Sequence, residues 1–190
     1  MLLALISDSH KTGATLGSSF SRKHLQSGGL CIFVRKDLNF NKIDISHTCR
    51  EKDLEICAVE LEIETSKLIV LSIYRAATGD FNQFLEELDD TLQYLYKPKT
   101  KFLLCGDINT DYLHESNLKK YLSSLLTTYN LSHRADFASI TQNKSSTAID
   151  NIFVDSSRLG STILSALING LSDHDAQLLT TTICINPLPA

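Results

Sequence analysis

The chain has 190 residues, a mass of 21.1 kDa and a formal charge of −4 at pH 7, with 43% hydrophobic and 21% charged residues. That balance excludes a disordered chain and a fibre, and the length suits a single domain over residues 1–190 whose core needs no disulfide scaffold. No apolar run reaches the ~18 residues of a membrane span, and the net charge carries no basic signature for nucleic acid beyond a local patch.

In chain order, the opening Met1–Ile6 run lacks the basic flank and length of a secretory signal and reads as a strand. Leu30–Arg35 follows Gly28-Gly29 as a buried strand. Glu55–Ile63 alternates polar and apolar residues, the pattern of a half-exposed strand, and Lys67–Tyr74 is a continuous apolar run covered on both faces. Phe81, Phe84, Leu85, Leu88, Leu92 and Leu95 then recur at helical spacing, with Asp80 as N-cap and Pro98 just beyond the end. Lys101–Cys105 is a short buried strand closed by Gly106. A second helix covers Ser116–Thr128, with Leu118, Tyr121, Leu122 and Leu125 on its apolar face. Ala148–Val154, Thr162–Ile168 and Gln177–Ile185 supply the last strands. Neighbours such as 55–63 and 67–74 suit antiparallel pairing, so two packed sheets with helices outside fit better than a doubly wound parallel sheet. The five cysteines (Cys31, Cys49, Cys57, Cys105, Cys184) are odd in number and never spaced as CxxC. Reduced, mostly buried thiols in an intracellular protein suit that pattern better than a zinc site.

Polar constellations stand at the ends of these apolar strands. Gly106-Asp107-Ile108-Asn109 follows a buried strand, and continued extension would project Asp107 and Asn109 to one face. A carboxylate there takes a proton from water or binds a hard cation, and the amide holds that water; a strand-ending turn explains the same residues. Asp150 lies within an apolar strand, where it either orients a histidine or sits at an exposed strand start. Ser172-Asp173-His174 precedes the final strand, joining a carboxylate for a divalent cation to an imidazole for a phosphate oxygen, against the reading of an ordinary turn. Tyr74-Arg75 adds a phenol and a guanidinium suited to phosphate. The remaining histidines (His10, His24, His47, His114, His133) have no paired acid at a strand end and read as surface or loop residues.

The order of these motifs resembles the endonuclease/exonuclease/phosphatase superfamily. Within it, the stretches FNQFLEELDDTLQYLY, SSTAIDNIFVD and LSDHDAQLLT are similar to the apurinic-type endonuclease domain of jockey-like non-LTR retrotransposons, over roughly Phe20 to Ile185. The resemblance implies a DNase-I-like α/β fold, a four-layer sandwich of two mixed β-sheets flanked by helices, with the first strands missing or degenerate. It implies a DNA endonuclease that cleaves a phosphodiester with Mg²⁺ or Mn²⁺. Asp107 would accept a proton from the attacking water and Asn109 would position that water. Asp173 would be a metal ligand, and His174, hydrogen-bonded to Asp150, would contact the scissile phosphate. Tyr74 would contact phosphate near the leaving group, with Arg75 as a further substrate contact. DNA in the nucleus is the implied partner, together with other domains of a retrotransposon polyprotein such as reverse transcriptase.

The chain departs from the family in three places. The first-strand Asn motif and the metal-binding Glu are not intact, and Asp8 in ALISDSH stands near the Glu position, one methylene shorter. Ala138-Ser139-Ile140 replaces a usual Pro-Thr-Arg, and Tyr74-Arg75-Ala76-Ala77 lacks the usual prolines. A catalytically impaired remnant that folds and binds nucleic acid without turnover is therefore the alternative, with a phosphomonoester or phosphoinositide substrate ranking third. Loss of early strands also leads us to expect an apolar sheet edge and self-association.

Overall fold

Apolar runs become strands where both of their faces find cover, and the two longest organise the rest. The computed structural model describes residues 2–5, 13–24, 29–63, 66–97, 100–134, 137–142, 145–155, 157–167 and 174–181. In chain order these form β1 (Leu2–Leu5), β2 (Ala14–Phe20), β3 (Leu30–Arg35), β4 (Asn39–Ile43), β5 (Glu55–Ile63), β6 (Ser66–Tyr74), α1 (Phe81–Leu95), β7 (Lys101–Asp107), α2 (Asn117–Thr128), β8 (Leu131–His133), β9 (Ile140–Gln142), β10 (Ser145–Thr147), β11 (Asp150–Asp155), β12 (Thr162–Leu167) and β13 (Ala176–Thr181).

A six-stranded mixed sheet runs β4-β5-β6-β7-β11-β8. Only β6 and β7 pair in parallel, as the crossover through α1 requires; the other neighbours are antiparallel. A second sheet runs β1-β3-β2, with β1 parallel and β2 antiparallel to β3. β12 and β13 form an antiparallel pair, as do β9 and β10.

The large sheet carries a core on each face. On one face Leu71, Ile73, Phe102, Leu104 and Phe153 pack beneath Phe84, Leu88 and Leu92 of α1 and Leu122 and Leu126 of α2. On the other, Cys57, Val59, Val70, Leu103, Cys105 and Ile152 meet Leu30, Ile32 and Val34 of β3, with Leu164 of β12 and Leu179 of β13 alongside. The result is the expected α/β sandwich of two mixed sheets. Both α-helices of the described residues cover the first face, and no helix among these residues is long and apolar enough to cross a membrane.

Each α-helix starts on a side-chain cap. Asp80 accepts from the N–H groups of Asn82 (2.8 Å) and Gln83 (3.1 Å), and Ser116 Oγ accepts from the Lys119 N–H at 3.1 Å. Such caps are worth about 1 kcal/mol each. The apolar face of α2 is narrower than its spacing suggests: Leu122 and Leu126 are buried, while Leu118 and Tyr121 are 39% and 61% exposed. β5 departs in the other direction. It is buried on both faces from Glu55 to Val59, because helices and the second sheet cover it from opposite sides. Cys31, Cys49, Cys57 and Cys105 are free thiols. Burial pushes the pKa values of Cys57 and Cys105 up to about 12, so both stay protonated and inert at neutral pH. Pro98 and Cys184 lie outside the described residues.

Candidate active site

The strand registers bring four polar side chains into one row. Glu55 pairs with Tyr74, Tyr74 with Asp107, and Asp107 with Asp150. Register partners on adjacent strands point to the same face, and here that face looks toward the second sheet, where Cys57, Cys105 and Ile152 join the inter-sheet core two residues along. The row thus forms a polar rim where that core ends.

Gly106 makes the rim possible. A Cβ at this position would lie 1.8 Å from the Ile73 carbonyl oxygen, and its φ is +157°. Only glycine allows β7 to sit so close to β6 immediately before Asp107. Beyond Asp107 the chain turns: Asn109 adopts φ +47° and donates its N–H to Asp107 Oδ1 at 3.1 Å.

Asp107 and Asp150 face each other across the pair β7–β11. Burial first, and the Asp150 charge second, raise the Asp107 pKa from the ordinary 3.8 to about 6. His174 donates from Nδ1 to Asp150 Oδ2 at 2.6 Å. Ligand atoms of Asp107, Asp150 and His174 all lie within 4.8 Å of one another. Asp150 and His174 are partly open to solvent, with side chains 18% and 31% exposed.

A buried serine holds this corner in place. Ser139 Oγ accepts the N–H groups of Ile149 and Asp150, each at 3.1 Å, and the Ser139 carbonyl accepts the Asp175 N–H at 2.9 Å. Gln177 Nε2 donates to the Asp150 carbonyl at 2.9 Å. The loop bearing His174 is therefore tied to the strand bearing Asp150 at two further points. Neither Ser139 nor Gln177 stands out in the sequence; Ser139 stands where the resembled pattern has threonine, next to Ile140 at the arginine position, and its hydroxyl sets the Asp150 backbone.

The structure brings Tyr74, Asp107, Asp150 and His174 together and corrects the geometry expected for two others. Arg75 does not face the rim. Its guanidinium is buried at 3% exposure, donating to the carbonyls of Ile108 (2.9 Å), Asn109 (2.8 Å), Ala76 (3.2 Å) and Gly79 (3.3 Å), with its plane near Phe81 and Phe84. It fastens the Asp107–Asn109 turn and is not presented to a substrate. Asn109 does not continue the strand, and its Nδ2 donates to the Arg75 carbonyl at 2.8 Å. Asn tolerates the left-handed backbone region, which releases it from strand alternation. Asp8 and Asp173 lie outside the described residues.

His114 lies on the surface as expected, paired there with Asp111 at 2.6 Å, but His133 differs: it lies on β8, half-buried, donating from Nε2 to Asn151 Oδ1 at 2.6 Å. Glu55 and Arg22 complete the rim at its far end. Arg22 Nε donates to Glu55 Oε1 at 2.7 Å. Sequence alternation marks Glu55 only as a polar residue of a strand, and nothing marks Arg22 as its partner.

Comparison with protein-family models and with curated protein sequences gives no match. Solved structures do share the fold. The endonuclease domain of TRAS1, a telomere-specific non-LTR retrotransposon, superposes with a TM-score of 0.68 at 14% identity, over 88% of this chain and 79% of that one. An endonuclease/exonuclease/phosphatase family protein from Leptotrichia buccalis gives 0.64 at 16% identity, over 93% and 73%. An AP endonuclease from Archaeoglobus fulgidus gives 0.52 at 12% identity, over 77% and 71%. The fold is the DNase-I-like sandwich that these structures have in common.

Proposed function

We propose that this rim cleaves a phosphodiester in DNA with a divalent cation, as the endonuclease domain of a mobile element. The observation that carries the reading is the convergence of Asp107, Asp150 and His174, from three separate strand ends, within 4.8 Å. Likeness of fold to nucleases supports it. Asp107 acts as the base: with a pKa near 6 it is largely ionised at neutral pH yet basic enough to take a proton from water. Asp150 fixes the imidazole of His174 through Nδ1, so that Nε2 meets a phosphate oxygen or the leaving group. Tyr74, next to Asp107 in the row, contacts the phosphate on the side of Glu55.

Two facing carboxylates, with Asp107 held above its ordinary pKa, are a donor set that suits Mg²⁺ or Mn²⁺, since hard oxygen ligands and unrelieved negative charge attract a hard cation. Asp150, through the oxygen not bonded to His174, would hold it with the Asp173 and Asp8 carboxylates, leaving Asp107 as the base. Bound there, the cation supplies charge neutralisation at the phosphate. Host DNA as the substrate would place the protein in the nucleus and make reverse transcriptase a natural neighbour in a polyprotein.

A nicking assay on supercoiled plasmid tests the reading. Wild-type protein nicks with Mg²⁺ and not with EDTA, and Asp107→Ala loses the activity. Equal nicking by both proteins overturns it. Absence of nicking by either favours the second reading, an inactive DNA-binding remnant. That alternative draws support from Asn109, whose amide is committed to the Arg75 carbonyl.

A further inference from the structure

The row that contains Tyr74 and Asp107 extends to an ion pair outside the catalytic motifs. Glu55 lies two strands from Asp107 on the same face and is fully buried. A carboxylate in that position is strongly destabilising unless a cation meets it. Glu55 Oε1 accepts from Arg22 Nε at 2.7 Å and from the Lys52 N–H at 3.1 Å, while Oε2 has no hydrogen-bond partner among the described residues. Arg22 is only partly buried. Its guanidinium carbon lies 5.2 Å from the centroid of the Tyr74 ring.

Fold stability alone is a weak reason for this arrangement, because an apolar pair of similar volume packs as well as a buried ion pair. Charge along the row supplies a better one. Three of its side chains, Glu55, Asp107 and Asp150, are carboxylates, which repel a polyanion. His174 and the candidate cation position relieve that repulsion at one end. At the other end the relieving group is Arg22, its planar fork oriented by a buried acid and braced on the tyrosine.

We propose that Arg22 is a phosphate-binding residue of this rim, held by Glu55 as its positioning residue, and that it grips the nucleic-acid backbone beside Tyr74. The proposal rests on the phosphodiester reading above. It adds a second contact on the polyanion, away from the bond that breaks, so its effect falls on binding and not on the chemical step.

The test measures anisotropy of a short fluorescein-labelled DNA duplex in EDTA, so that no turnover occurs, across a series of salt concentrations. Wild-type affinity should fall linearly with salt on logarithmic axes. Arg22→Met combined with Glu55→Gln removes both charges without stranding either, and thermal melting confirms that the variant is folded. Binding should weaken about tenfold, and the slope should become shallower by about 0.9, the value for one phosphate contact. Arg22→Lys should restore the slope but only part of the affinity, since an ammonium lacks the fork. A purely structural pair would leave the slope unchanged. If the double variant melts below the assay temperature, Arg22→Lys decides: weakened binding with the wild-type slope supports the proposal, and wild-type affinity overturns it. Wild-type slope and affinity in the folded double variant overturn the role of Arg22 and leave the phosphodiester reading intact. Absence of salt-dependent binding by the wild-type protein overturns both.

Discussion

Asp150 and Asn151 are consecutive on β11, yet alternation sends them to opposite faces and into opposite chemical conditions. Asn151 points into the core under the helices and is fully served: Oδ1 accepts from His133 Nε2, Nδ2 donates to the Ala148 carbonyl at 3.0 Å, and the Tyr112 ring lies tilted with its centroid 4.2 Å from that of His133. Asp150 points to the rim, opposite another carboxylate, with a histidine on one oxygen. Both clusters join an acid or amide to a histidine. The difference is satisfaction: the helix-side cluster balances its donors and acceptors in a dry core, whereas the rim keeps like charges face to face beside solvent. Balanced polar groups specify a fold, while unbalanced ones are available to bind and react.

Substitution separates the two regions. The largest effect should come from His174→Ala or Asp107→Asn, each lowering nicking about a thousandfold, as expected for loss of a general acid–base or phosphate-stabilising group. Melting temperature should not fall in either variant, since neither side chain fastens the core. A comparable fall in stability would place the rim with the structural cluster. Gly106→Ala strikes both regions, because the added methyl collides with the Ile73 carbonyl. It should cost about 3 kcal/mol or more in denaturant unfolding, and a wild-type midpoint would disprove the close approach of β7 to β6. Asn151→Ala should cost about 2 kcal/mol by stranding the His133 N–H and the Ala148 carbonyl. In the folded fraction its nicking should stay within a few-fold of wild type.

A further effect is one of pH. The Asp107 pKa is raised, so the native state binds its proton more tightly than the unfolded chain does. The stability this group provides is fully present below about 3.8 and is lost as pH rises to about 6. Nicking should rise over the upper part of that interval, because the ionised form is the base. Without divalent cation, thermal melts from pH 4 to pH 7 should therefore decline in this component while activity with Mg²⁺ climbs. Asp107→Asn should flatten the decline.

Much of this architecture is legible in the residues. Period-two and continuous apolar runs mark β5, β6 and β7, and helical spacing with Asp80 marks α1, because burial dictates those patterns directly. The Asp107, Asp150 and His174 positions are readable as polar groups at strand ends. Contacts made by tertiary neighbours are not readable. Arg75 looks like a surface guanidinium until four carbonyls surround it, and Asn109 looks extended until its backbone enters the left-handed region. Ser139 is one residue of a replaced pattern until its hydroxyl is seen to collect two N–H groups. Glu55 is ordinary by alternation alone, since only the register across β5, β6 and β7 puts it on the rim.

Carbon-13 NMR titration of the Asp107 carboxyl in metal-free protein, wild type against Asp150→Asn, measures the rim's central property. We predict a midpoint near 6 in the wild type. In the variant it should move partway back toward 3.8, because the facing charge is gone and burial remains. An ordinary carboxylate midpoint in the wild type, or one that Asp150→Asn leaves unchanged, would contradict a shared site.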